Sequence, residues 1–380
     1  MAKLFSPLSI GPTQLDNRII VSPMCQYSAE IGVAGDWHKM HLGQFAVAHP
    51  GLIMIEGTAV EPNGRITPHD LCLYNDQQEE ALARLVDFIR GFSDTKIGIQ
   101  LFHSGRKGSQ SRPWSPNGNG IHGGLLSEEE GGWPGLSPSA IAFDENYGVP
   151  RAVAAADLER VRTAFTNAAE RAARAGVDSL EIHYAHGYLL HSFLSPISNQ
   201  REDAYGGSLA NRMRFPLEVW HEVRDVWPED RALGARISGS DFGLDREAWD
   251  IEDAIPFARH LADGGCDFLD VSGGFLAPEQ DLTHYGPGFQ TDLARRVKSE
   301  IGLPTFSVGV IAGPHQAETI IAKGDADAVC LGRGALIDPH WPWRAARALG
   351  CEPMFPPQYA RAFMHGYPQM FDHLCGAVAD

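Results

Sequence analysis

The chain has 380 residues, 43% of them hydrophobic, enough to bury one large core or two ordinary ones, which excludes general disorder. Its 48 acidic against 31 basic side chains give a formal net charge of -17 that repels phosphate backbones, and no local basic patch overrides it, so no nucleic-acid partner is expected. The opening MAKLFSPLSIGPTQLDN lacks the apolar stretch of a signal peptide, and no run of about eighteen apolar residues spans a membrane. The six cysteines (Cys25, Cys72, Cys266, Cys330, Cys351, Cys375) form no CxxC pair, which suits reduced thiols better than disulfides or a zinc ribbon. Together these features predict a soluble, cytoplasmic protein without a membrane partner.

In chain order, eight short apolar runs rich in β-branched residues read as strands: RIIVSP (18–23), GLIMIEG (51–57), KIGIQLF (96–102), DSLEIHY (178–184), ALGARIS (232–238), DFLDVSG (267–273), PTFSVG (304–309) and AVCLGR (328–333). Amphipathic stretches follow most of them, at 76–92, 155–176, 212–227, 251–265 and 338–349. Strand and helix alternating in this way predict an α/β fold of the (β/α)8 TIM-barrel kind. A doubly wound open sheet would normally carry a GxGxxG fingerprint after its first strand, and none stands there. The Gly-, Pro- and Ser-rich segment 104–150 reads as one long loop after strand three, lying over the C-terminal mouth where active sites of this fold sit.

Strand four ends in EIHYAHGYLLHSFLSP, which sets Glu181 and His183 on one strand face and His186 and Tyr188 in the turn that follows. Imidazole nitrogens can donate hydrogen bonds to a carbonyl oxygen, and a phenol beside them can deliver a proton. The same residues also fit a polar strand end with ordinary satisfied histidines. A zinc site formed by His183, His186 and His191 lacks a partner carboxylate or an HxH pair on strand one, and no metal is expected.

Gln100, with Gly98, points into the barrel, where a carboxamide either plugs the interior or both donates to and accepts from a heterocycle's edge. Arg236 at the end of strand five needs a negative partner, because an unpaired interior guanidinium is very costly. Glu181 is one candidate. SVGVIAG (307–313), with Val308 and Gly309, and LGRGAL (331–336), with Gly332 and Arg333, offer glycine amides, an arginine and a helix start at strands seven and eight, where this fold often holds phosphate. One such site fits FMN better than FAD.

EIHYAHGYLLHSFLSPISNQREDAYGGSLANRMRF (181–215) resembles the signature of the old yellow enzyme family of flavin ene-reductases. LFSPLSIGPTQLDNRIIVSPMCQY (4–27) is similar to the family's N-terminal β-hairpin and first strand. GRITP (64–68), HSGRK (103–107) and CLGRGALIDPHW (330–341) recur in their places. The resemblance implies FMN, reduced by NADPH or NADH, and a ping-pong reduction of an activated C=C bond in an enone or nitro compound. It places Pro23, Met24, Gly57 and Gln100 around the flavin, and Arg236 at the N1 side of the ring. His183 and His186 bind the substrate oxygen and Tyr188 is the proton donor.

Cys25 and Tyr27 in PMCQY match the bacterial, thermophilic-type subgroup, where a cysteine faces the flavin and tunes it; a core thiol is the plainer reading. Tyr27 and Lys107 fall on the substrate side. The stretch QYARAF (358–363) resembles the subgroup's tail, in which an arginine, here Arg361, enters a neighbouring subunit's pocket, so a homodimer or dimer of dimers is expected. The iron–sulfur branch of the broader family needs a late cysteine cluster, and only Cys351 and Cys375 lie there. The non-enzymatic alternative is a flavin-binding redox sensor acting through Cys25. Residues 1–364 are expected to form one barrel domain, with 365–380 a C-terminal extension.

Overall fold

Runs that are apolar on both faces must be covered on both, by helices outside and by packed side chains inside, and a closed parallel barrel meets this demand. The computed structural model describes residues 2–120, 123–243, 247–281, 283 and 285–363. In it the strands β1 (Ile19–Val21), β2 (Leu52–Ala59), β3 (Lys96–Phe102), β4 (Ser179–Tyr184), β5 (Ala232–Ser238), β6 (Phe268–Ser272), β7 (Thr305–Ser307) and β8 (Ala328–Leu331) close into a barrel in sequential order. Seven of the predicted runs contain one of them whole, and β2 continues two residues past its run, to Ala59. The helices α1 (Asp36–Val47), α2 (Asp76–Arg90), α3 (Ala155–Ala175), α4 (Leu209–Val226), α5 (Ile251–Asp263), α6 (Thr291–Ile301), α7 (Pro314–Lys323) and α8 (Trp341–Ala348) follow the strands in turn. In α2, Leu82, Leu85, Val86 and Ile89 recur at helical spacing and are buried, and the Asn75 side chain caps the helix by accepting from the Gln78 N–H.

The barrel interior divides by height. At the N-terminal end Ile20, Leu52, Met54, Ala232, Phe268, Phe306 and Ala328 pack with Leu8, Ile10 and Leu15 of a hairpin, Leu8–Ile10 paired to Thr13–Leu15, which closes the bottom. Thr13 ties the hairpin in: its hydroxyl donates to the Asp178 carbonyl and accepts from the Ala232 N–H, each at 3.2 Å. Above this apolar layer the interior turns polar, with Gln100, Glu181, His183, Arg236, Asp270 and Ser272 all buried beneath the mouth.

Gly234 makes the apolar layer possible. A Cβ there would lie 2.3 Å from the Phe268 ring, which stacks on Phe306 at 4.8 Å between centroids. Gly234→Ala is therefore expected to cost about 1–3 kcal/mol through overpacking. Thermal unfolding measures it, and an unchanged Tm would show that the ring pair has room to shift.

The loop 104–150 carries short 3-10 turns at Gly105–Lys107 and Glu128–Glu130, and its Leu136–Ser137 pairs with Arg151–Ala152. Beyond α8 the chain reaches the barrel's N-terminal face, where Gly350, Cys351 and Glu352 border a cleft with Asp16, Asn17 and His49. It then turns back along α8: Trp343 Nε1 donates to the Met354 carbonyl at 2.7 Å, and the Tyr359 ring lies 5.4 Å from that of Trp343. Arg361 is exposed. The extension set off at 365–380, including Cys375, lies outside the described residues. Among those described, no helix is long and apolar enough to cross a membrane.

Candidate active site

Successive strand residues alternate faces, so the even spacing of Glu181 and His183 turns both inward. The turn after β4 is left-handed at His186 (φ 59°) and Gly187 (φ 72°), and a Cβ on Gly187 would lie 2.6 Å from the Phe275 carbonyl oxygen. His191 holds this turn, its Nδ1 accepting from the Gly187 N–H at 2.9 Å while Nε2 faces Asp241 at 3.3 Å. That partnership makes His191 a structural histidine. Among the described residues no group of three or more His, Cys, Asp or Glu is placed to hold a metal ion.

The turn brings the expected trio together. His183 Nε2 is 3.2 Å from His186 Nδ1, and the Tyr188 ring stands edge-on 5.0 Å from that of His183. A mouth cavity of about 240 Å³ is lined by His186, Tyr188, Tyr27 and Lys107, with Phe275 and the loop residues Gln110 and Tyr147. His183 stands behind His186 and is nearly fully buried. Burial, reinforced by the nearby Arg236 guanidinium, pushes both imidazoles well below their usual pKa, so both are neutral. Burial likewise pushes the Tyr188 phenol up. Lys107 donates to the carbonyls of His186 (3.1 Å) and Phe275 (3.0 Å), and burial, with Arg106 beside it, lowers its pKa to about 7.

A second cavity of about 480 Å³ adjoins the first, with His186 and Phe275 bordering both. Arg236 lines it, together with Val308, Gly309, Gly332 and Arg333 of the two glycine loops. Arg333 is exposed and its guanidinium hydrogen-bonds the Tyr285 hydroxyl. Met24 reaches the same loops, its sulfur 3.9 Å from where a Cβ on Gly332 would stand; Pro23 beside it is half-buried. At Gly57 a Cβ would be crowded by the Phe102 ring at 3.3 Å and by Cys25 Sγ and Gln100 Oε1, each at 3.4 Å. Cys25 is a half-buried free thiol whose pKa burial pushes well up, helped by Asp70 and Glu56.

The polar layer differs from expectation in one partner. Arg236 Nε lies 3.4 Å from Asp270 Oδ2, whereas Glu181 receives the Gln100 amide at 2.6 Å. The register of β5 and β6 sets Asp270 directly beside Arg236, and Glu181 opposite Gly234, one pleat lower. Burial pushes both carboxyls up and Arg236 opposes it.

Sequence reasoning also passed over Ser272, which sits 2.9 Å from His186 Nε2, and Glu56. Strand β2 shifts register between Ile55 and Gly57, and Glu56, in that irregularity, accepts from the Gln26 N–H at 2.8 Å and faces His38 at 3.3 Å, anchoring the loop that carries Cys25. The signal for both Asp270 and Glu56 was present, an acid inside an apolar strand run; their partners were not.

The family described as NADH:flavin oxidoreductase / NADH oxidase matches residues 3–352. The chain belongs to this family. An NADPH dehydrogenase of Geobacillus thermodenitrificans is 40% identical over 362 residues, 95% of this chain and 98% of that protein. An NADH:flavin oxidoreductase of Gibberella zeae is 42% identical over 365 residues, 92% and 86% of the two chains. The structure of morphinone reductase superimposes with a TM-score of 0.74 at 26% identity, covering 96% of this chain and 93% of that one.

The resemblance to the old yellow enzymes is thus borne out, and the chain is a flavin oxidoreductase of the barrel type with FMN as cofactor and NAD(P)H as reductant. The second cavity suits the cofactor's parts: its volume lies within the range of cofactor sites, and its lining holds a buried guanidinium together with two glycine loops and an arginine.

Proposed function

We propose that this flavin oxidoreductase is an ene-reductase that reduces the C=C bond of α,β-unsaturated carbonyl or nitro compounds by a ping-pong mechanism. The observation that carries the reading is the meeting of the two cavities at His186, with His183 and Tyr188 within reach of the same point. FMN, when bound, supplies the chemistry of accepting hydride from NAD(P)H and passing it to the β-carbon of the oxidant. Gln100, Gly57, Pro23, Met24 and Cys25 would hold the ring, Arg236 would offset the negative charge of its reduced form, and Val308, Gly309, Gly332 and Arg333 would hold the phosphate.

The residues of the mouth do the rest. His183 and His186 receive the substrate's carbonyl or nitro oxygen and stabilise the negative charge that grows on it. Tyr188, kept protonated by burial, delivers a proton to the α-carbon. Tyr27 and Lys107 shape the substrate side, and Lys107, half-charged near neutrality, draws in the anionic nicotinamide cofactor. The purified protein should be yellow, release about one FMN per chain, as one phosphate site implies, and consume NADPH faster when cyclohexenone is added. A colourless protein that a flavin titration cannot restore, or NADPH consumption indifferent to the enone, defeats the reading.

The sensor alternative needs a reactive thiolate, and the raised pKa of Cys25 counts against it. As a neutral thiol beside the flavin, Cys25 adjusts electron density. Cys25→Ala is expected to retain FMN while shifting its reduction potential in a spectroelectrochemical titration. An unchanged potential would make Cys25 a packing residue.

The exposed Arg361 completes the pocket of a second subunit in a dimer. Dimers pairing a Tyr188→Phe subunit with an Arg361→Ala subunit keep one site with intact tyrosine and a partner's intact arginine, and that site should bind enone like the parent. Binding no better than in the Arg361→Ala homodimer refutes action across the interface.

A further inference from the structure

We propose that Ser272 is a tautomer switch for His186, accepting a hydrogen bond from the imidazole in the ligand-free enzyme and donating one to it when a substrate oxygen arrives. The inference rests on the assignment of the histidine pair as the site of the substrate oxygen.

The hydrogen positions follow from a chain of partners. The Ala185 N–H donates to His183 Nδ1 at 3.0 Å, so that nitrogen carries no proton and the neutral ring is protonated at Nε2. His183 Nε2–H therefore donates to His186 Nδ1 at 3.2 Å. His186, having accepted there, is also protonated at Nε2, which donates to Ser272 Oγ at 2.9 Å. Every imidazole N–H of the pair is thus spent inside the protein.

An oxygen bound between the two rings needs an N–H from each. His183 already presents Nε2–H, but His186 must carry its proton on Nδ1. A second proton on His186 is opposed by burial and by Arg236. The neutral ring instead gives up the Nε2 proton and takes one at Nδ1, exchanged with water in the adjoining cavity, so the proton count is unchanged. Nε2 then needs a donor in place of an acceptor.

A serine hydroxyl serves as either. Ser272 Oγ also accepts from Arg236 Nε at 3.3 Å, and that bond needs only one lone pair, so it persists in both states. Arg236, held in turn by Asp270, keeps the oxygen still while the hydroxyl hydrogen turns. The side chain of Ser272 is a positioning residue, acting on substrate only through His186.

The test uses the FMN-loaded enzyme labelled with 15N-histidine, without NAD(P)H, so that cyclohexenone binds and does not react. In the free enzyme the His186 signals, assigned with His186→Gln, should report a proton on Nε2. Saturation with cyclohexenone should move it to Nδ1 in the parent and in Ser272→Thr, which keeps the hydroxyl. In Ser272→Ala the move should fail and cyclohexenone should bind about tenfold more weakly, the effect of an orphaned buried partner. The proposal is overturned if His186 keeps its proton on Nε2 in the saturated parent, or if Ser272→Ala binds as tightly as Ser272→Thr. If the His183 signals respond while His186 stays unchanged, the switch alone fails. If cyclohexenone disturbs neither ring, the assignment of the substrate site falls with it.

Discussion

His183→Ala should slow the reoxidation of the reduced enzyme by enone about a hundredfold or more, the usual loss for one oxyanion donor. Its reduction by NADPH should change far less. The asymmetry follows from the chemistry of the two half-reactions, since only the oxidant develops negative charge on an oxygen. His183 is suited to that charge because its proton is committed to Nε2 by the Ala185 amide, so the ring arrives with its donor already oriented. It is neutral as well as buried, and therefore donates without competing for the proton that Tyr188 must deliver. Stopped-flow absorbance of each half-reaction measures the two rates separately. Equal losses in both would mean that the imidazole, which packs edge-on against Tyr188 and His186, serves the shape of the site and not its charge.

Tyr188→Phe should slow enone reduction by a factor of about a hundred to ten thousand, the range for a lost general acid. Reduction of nitroalkenes should be nearly spared, because their nitronate product leaves without a proton from the enzyme. The substitution is clean because phenylalanine keeps the ring, which stands edge-on to Phe102 at 5.3 Å and to His183 at 5.0 Å. Only the hydroxyl is lost. Burial holds the phenol above its ordinary pKa, so it stays protonated across neutral pH and its availability as an acid does not fall as the solution turns mildly alkaline. Comparing turnover of cyclohexenone and a nitroalkene by the same variant decides the matter, and equal losses on both would remove Tyr188 from the role of acid.

Much of this site was legible in the sequence because its central residues are local. Glu181, His183, His186 and Tyr188 lie within eight positions, and the period of two along a strand followed by a tight turn is enough to bring the last three to one mouth. The glycine loops after β7 and β8 were legible for a similar reason, since adjacent barrel strands bring consecutive loops together. Eight apolar runs separated by amphipathic stretches determined the barrel, because a strand's length and burial are written in its own residues.

The tertiary structure alone decided who meets whom across strands. Period two tells which face a residue takes but not its height in the barrel, and height depends on the register that closure of all eight strands imposes. Arg236 was recognisable as an interior charge in want of a partner. That the partner is Asp270, 34 residues further on, with Glu181 bonded to Gln100, follows from pairing β6 to β5 at Asp270 opposite Arg236. The same register lifts Ser272 to His186, and a register shift in β2 leaves Glu56 holding the loop of Cys25. These contacts join residues distant in sequence through distances set by backbone geometry, so no local pattern announces them, and they are what orients the histidines that the sequence had already brought together.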